Sequence, residues 1–166
     1  MNGLEPGTLD VLAGTPATLR ALLAGIPEEA LSAPGAEGWS ARDVVAHLAS
    51  IQRTANVQRV RLMIEHDNPL IPNVDEEETL AASGLRSRPT ADALATFERE
   101  RGEAMAMLRS LTAEDLLRRG RHQVAGDLTV ADIVHHIAYH DLLHVGQVAA
   151  LLAAPIEQRR GAMRMF

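Results

Sequence analysis

The sequence predicts an all-α protein, a four-helix bundle, on three observations. Aromatic residues are only 2% of a chain that is 46% hydrophobic, so the core must be packed from Leu, Val, Ile, Ala and Met, which suits helices better than a β-sandwich. Four segments place apolar residues at helical spacing. Each of these segments is bounded by residues that start or stop helices.

The first segment covers about 8–24 and contains Pro16, which either kinks the helix or sits in its first turn. The second, about 40–66, opens at "WSARDVVAHLASIQ". Ser40 and Asp43 there have capping-box spacing, with Asp in place of Glu. Its apolar stripe reads Val44, Ile51, Ala55 and Leu62, and "DNPLIPN" ends it. The third, about 90–110, follows "SRPTAD". The fourth, about 129–153, opens at "LTVADIVHH" with the same box on Thr129 and Asp132 and is expected to end before Pro155.

The order of these helices carries further information. "SARDVVAH" resembles "TVADIVHH", and "LLAGIPEEAL" resembles "MLRSLTAEDL". The simplest reading is one helix hairpin present twice, the plain alternative being that capping boxes look alike. Residues 67–89 are too long for a tight turn and suit a crossover along the bundle, with helix 3 parallel to helix 2. The 166 residues read as one domain.

Composition removes several function classes. The chain has no Cys, which excludes disulfides, thiolate ligands and a Cys nucleophile. All sixteen basic residues are Arg, the net charge is −6, and no basic stripe stands out, so no nucleic-acid partner is expected. No apolar run is expected to be long enough to span a bilayer and no signal pattern opens the chain, so a cytoplasmic protein with no membrane partner is expected.

The stretch "HHIAYHDLLHVGQ", from His135, holds four of the chain's seven histidines. At about 100° per residue, His144 falls within the stripe made by Ile133, Ile137, Val148 and Leu151, with His140 beside it. His136 and Gln147 border that stripe, and His135 lies on the opposite, wet side. His47 borders the stripe of the second helix.

Two histidines on adjacent turns facing one core need a common explanation. A divalent ion supplies it, because i,i+4 imidazoles converge on one metal. If the second and fourth helices are antiparallel, His47 lies about 10 Å from one end, at a height that meets His144 within a turn, while His136 lies roughly 15 Å further along. Facing and height therefore select His47, His140 and His144.

"WSARDVVAHLA" followed by "HIAYHDLLHVGQ" resembles the DinB/YfiT-like family of metalloenzymes, and the resemblance covers nearly the whole chain. It implies a bundle of up-down-down-up topology, with a metal triad of one histidine on helix 2 and an HxxxH pair on helix 4 followed by x-G-Q. By position these are His47, His140 and His144. It also implies Zn or Ni as the metal, a homodimer, and for several branches thiol S-transfer, in which a low-molecular-weight thiol attacks a small electrophile.

Three neutral ligands leave an open position where a water or thiol becomes a nucleophile. A metal-dependent thiol transferase leads the sequence reading. The alternatives are a metal-dependent hydrolase and a non-catalytic, stress-related metal-binding bundle. His136 and Gln147 are candidates to support the ligands or line a pocket. "HDLLH" also resembles the HExxH of zinc peptidases, with Asp141 in the place of the Glu that activates water. Trp39 reads as a hydrophobic staple, "VDEEET" (74–79) as a solvated acidic loop, and Arg86 and Arg88 as solvated crossover residues. Tyr139 and His122 receive no role.

Overall fold

The computed structural model of the chain describes residues 3–165. In chain order the helices are α1 (Thr8–Leu23), α2 (Glu28–Leu31), α3 (Ala41–Ile51), α4 (Gln58–Glu65), α5 (Glu76–Ser83), α6 (Thr90–Ser110), α7 (Ala113–Leu117) and α8 (Val130–Glu157). A π-helical turn, Gln52–Val57, joins α3 to α4 without a break, so that α3–α4, α1, α6 and α8 are the four long arms of a bundle.

Two apolar clusters fix the direction of each arm. One gathers Leu19, Leu23, Val44, Val45, Ala93, Phe97 and Val148. The other gathers Leu12, Val60, Met63, Met105, Leu108, Val130 and Ile133. Numbers rise from the second cluster to the first along α1 and α8, and from the first to the second along α3–α4 and α6. The topology is therefore up-down-down-up. The plan of long helix, short helix and long helix recurs in α1–α3 and α6–α8, in keeping with the two-hairpin reading, although among the short helices only α7 carries a capping box.

The crossover and the connection from α7 to α8 also build a small sheet that the sequence reading did not contain. Its strands β1 (Leu70–Ile71), β2 (Arg119–His122) and β3 (Gly126–Thr129) lie in that order, β1 parallel and β3 antiparallel to β2. A two-residue strand and a strand reading Arg-Gly-Arg-His offer no apolar alternation to read. Gly120 permits the packing, since a Cβ there would lie 2.7 Å from Cδ1 of Ile71.

Two helix expectations need correction, and the choice left open at Pro16 is resolved. The second arm is not one regular helix. The π turn inserts one residue into the repeat, so Leu62, expected in the stripe, is only half-buried while Val60 and Met63 are fully buried. Pro16 lies inside α1, not in its first turn. Pro155 does not end α8, which runs to Glu157. Proline has a helical φ but loses the hydrogen bond to the carbonyl four residues back and crowds that carbonyl with its ring, costs that are smaller at an exposed helix end where water can take the freed carbonyl.

By length and composition α8 could cross a membrane. Here it is a bundle wall: Ile133, Val134, Ile137, Asp141 and Val148 are buried.

Candidate metal centre

Capping starts the two arms that carry the histidines. The Ser40 hydroxyl accepts from the Asp43 N–H and the Asp43 carboxylate accepts in return from Ser40, and Thr129 and Asp132 repeat the arrangement. These boxes set where each helix begins and hence the height of every side chain along it. His47 then comes from α3 and His140 and His144 from α8.

The three histidines converge through the same ring atom. Nε2 of His140 lies 3.3 Å from Nε2 of His47 and 3.0 Å from Nε2 of His144. One ligand atom from each side chain fits within a 4.8 Å group. Tetrahedral ligands at zinc–imidazole bond lengths sit about 3.3 Å apart, so the spacing fits one ion. Protons alone fit poorly, because a neutral imidazole has a single donor and His140 Nε2 faces two other ring nitrogens.

The surroundings favour uncharged rings. Burial, reinforced by His144, lowers the His47 pKa to about 4. Burial, with His144 and His47, lowers that of His140 to about 3. Both rings are therefore neutral at pH 7, the state a metal requires.

Orientation is supplied unevenly around the triad. Nδ1 of His144 is 2.8 Å from Oε1 of Gln147, one turn on. An Nδ1–H donated to that oxygen leaves the Nε2 lone pair turned toward the other two rings. The Trp39 ring meets His47 edge-on at 5.6 Å, while the Arg86 guanidinium covers Trp39 and pairs with Asp43 and Glu77. Trp39 thus holds a candidate ligand as well as packing against the cluster that includes Val44. Arg86 belongs to this scaffold and is not a free loop cation. Nδ1 of His47 and of His140 is buried without a hydrogen-bond partner among the described residues.

The acidic stretch at 74–79 is not merely solvated. Asp75 caps α5 by accepting from the Glu78 N–H, and this sets Glu76 at the mouth of the triad with Oε2 3.7 Å from Nε2 of His47. Glu76 is 58% exposed, against 2% for His47. Sequence reasoning missed it, although an Asp followed by three Glu is a legible helix start.

Asp141 follows His140 in sequence and turns the other way. It is fully buried, and both its oxygens accept from the two terminal nitrogens of Arg101 on α6. Arg101 also donates to Oε1 of Gln52 through Nε and Nη2, at 3.2 and 2.8 Å, and through Nη1 to the Leu12 carbonyl at 2.9 Å. All five donors of the guanidinium are used. Leu12 lies four residues before Pro16, whose missing N–H frees that carbonyl. Gln52 opens the π turn. A clamp therefore ties all four arms together, and Asp141, fully buried and paired with Arg101, is not placed to activate water in the manner of HExxH.

The remaining histidines fall outside the triad. His136 is exposed, its ring 6.0 Å from that of His140. His135 faces away from the triad as expected but not into water: it is half-buried and its Nε2 accepts the Glu5 N–H at 2.9 Å. Tyr139 is exposed, and His122 lies at the end of β2.

The DinB superfamily profile matches residues 12–148. The chain belongs to the DinB superfamily. Among relatives, "Putative metal-dependent hydrolase GK0616" of Geobacillus kaustophilus is 29% identical over 140 residues, covering 83% of this chain and 78% of that protein. "Putative metal-dependent hydrolase YfiT" of Bacillus subtilis is 28% identical over 148 residues, covering 86% and 81%. A solved structure of YfiT, described as a probable metal-dependent hydrolase with an unusual four-helix bundle topology, superposes with a TM-score of 0.81 at 22% identity, covering 94% of this chain and 91% of that one. That match confirms the bundle fold expected from the sequence.

Proposed function

We propose that this DinB protein is a divalent-metal-dependent hydrolase of a small substrate, with His47, His140 and His144 as its metal ligands. The observation that carries the reading is the meeting of three Nε2 atoms, two of them on rings kept neutral by burial, beside an acidic side chain open to solvent. The chemistry of the donor set suits Zn or Ni.

A divalent ion held there supplies Lewis acidity, polarising a substrate oxygen and making water a competent nucleophile near neutral pH. The chain's own residues do the rest. Gln147 holds the His144 ring in one tautomer. Trp39 shields His47 from water on one side. Glu76 stands where it can take the proton of an attacking water and return it to the leaving group. Asp141 contributes by anchoring α8 and not by proton transfer.

The sequence reading put thiol transfer first. The names of the relatives favour hydrolysis, and no group in the site singles out a thiol. The deciding experiment offers zinc- and nickel-loaded protein a panel of small esters, amides and phosphate esters, each with and without a low-molecular-weight thiol. Metal-dependent turnover without thiol supports hydrolysis, and turnover only with thiol returns the transferase to first place. No turnover under any condition leaves a metal that only cross-links α3 and α8.

A further inference from the structure

Beside the triad lies a cavity of about 390 Å³, within the usual range for a small-molecule site. It is a half-open cleft framed by α4, the crossover and the start of α5, the β2–β3 hairpin and the first turns of α8. Asn73 of the crossover fastens to the turn through its N–H, 2.7 Å from Oε1 of Gln123. Glu76 and His136 line both this cavity and the edge of the triad, so the two spaces adjoin. Val74, Leu128 and Ile133 give the cavity an apolar wall.

Two side chains in this cavity carry donors with no acceptor among the described residues. Arg59, on α4, is half-buried and makes no ion pair or side-chain hydrogen bond among the described residues, and its Nε is buried without a partner. Burial lowers its pKa, with Glu76 acting the other way from beyond ion-pair distance. A half-buried guanidinium whose Nε is shut off from water and has no acceptor is costly unless a ligand completes it. The second donor is His122. Its Nδ1 accepts the N–H groups of Val124 and Ala125, each at 3.2 Å, so its proton sits on Nε2. Burial and the nearby Arg59 lower the His122 pKa, which favours the neutral ring.

We infer that this cavity is the substrate pocket of the centre and that Arg59 and His122 bind a carboxylate carried by the substrate. The fork of the guanidinium matches a carboxylate in two hydrogen bonds, and the imidazole Nε2–H adds a third donor. The acids nearby do not occupy Arg59: Asp132 is engaged by the Thr129 N–H and hydroxyl, and Glu76 faces His47. Two acids beside one Arg favour a monoanionic carboxylate over a dianionic phosphate. The apolar wall accommodates an aliphatic body, so the substrate class is a small amphiphilic organic acid whose scissile group lies toward the histidines.

This inference rests on the proposed hydrolase for its role in catalysis, whereas the binding itself is measurable without turnover. Hexanoate, hexanamide and n-butyl phosphate serve as probes, titrated by calorimetry into metal-free and zinc-loaded protein. Hexanoate is expected to bind at least about tenfold more tightly than hexanamide. Arg59→Met should erase that preference and Arg59→Lys restore part of it. His122→Phe should weaken hexanoate several-fold. Far-UV circular dichroism and retained zinc binding check that each variant folds. Equal binding of hexanoate and hexanamide, or undiminished hexanoate binding by Arg59→Met, overturns the subsite, and preference for butyl phosphate replaces the carboxylate with a phosphate monoester. An Arg59-dependent preference in a protein that takes up no zinc keeps the subsite and removes the metal reading. Zinc uptake without any preference does the reverse.

Discussion

His140 and Asp141 are neighbours on α8, yet they belong to two polar clusters of opposite character. The cluster around Asp141 is closed: every guanidinium donor of Arg101 meets an acceptor, and the acceptors come from three other arms of the bundle. The cluster around His140 is open, with three ring nitrogens facing one another and the Nδ1 atoms of His47 and His140 unpartnered. A buried polar network with all its groups satisfied rigidifies a fold, whereas one that lacks a partner at its centre calls for a ligand. The closed cluster fixes α8 within one residue of the open one, so the clamp is a means of holding the histidines at the right height and rotation.

The sharpest way to break this contrast is to open the closed cluster. Arg101→Met leaves Asp141 buried without a partner and should cost about 3–5 kcal/mol of stability, seen as a lower urea midpoint. Arg101→Met combined with Asp141→Leu should recover much of that loss, because an apolar pair can replace a buried ion pair. A single variant as stable as the parent would show that the clamp does not hold the bundle.

Acid should separate the clusters next. His47 and His140 have folded pKa values of about 4 and 3 against an ordinary 6.5. Between those limits the unfolded chain binds more protons, so this contribution to the stability of metal-free protein is fully present above about pH 6.5 and is lost as pH falls toward 4 and 3. The melting temperature of metal-free protein should drop through that window, and the slope should be shallower in His140→Phe. Identical slopes would mean that these rings are not held neutral.

Smaller effects test the outer contacts. Gln147→Ala should weaken metal binding about tenfold through the freed His144 ring, measured by competition with a chelator. His135→Ala should leave metal affinity unchanged and cost on the order of 1 kcal/mol through its lost bond to Glu5. A fall in metal affinity there would contradict the facing of α8.

The open cluster was legible in the sequence and most of the closed one was not. Histidines at i and i+4 follow from helical spacing, and a third at a matching height follows once the second and fourth helices are taken as antiparallel. The four arms were legible for the same reason, with α6 falling on the expected 90–110. Asp141 lies at the middle of the buried face of α8, but a charged residue is discounted when an apolar stripe is read. The clue was on α6, where Arg101 takes its turn in the buried series Ala93, Phe97, Arg101, Ala104 and Leu108. Its partners could not be read, since the π turn that presents Gln52 and the carbonyl freed by Pro16 are backbone events. Glu76 and the pocket depend on how a crossover folds back, which helical periodicity does not encode.

The most direct test of the account is metal content, measured by mass spectrometry on untagged protein purified without chelator or nickel resin, beside His144→Ala prepared identically. About one zinc or nickel per chain in the parent and a near-complete loss in the variant, with helicity unchanged, is the predicted result. A parent that carries no metal and takes up none when zinc or nickel is supplied, or a variant that keeps full occupancy, would contradict it.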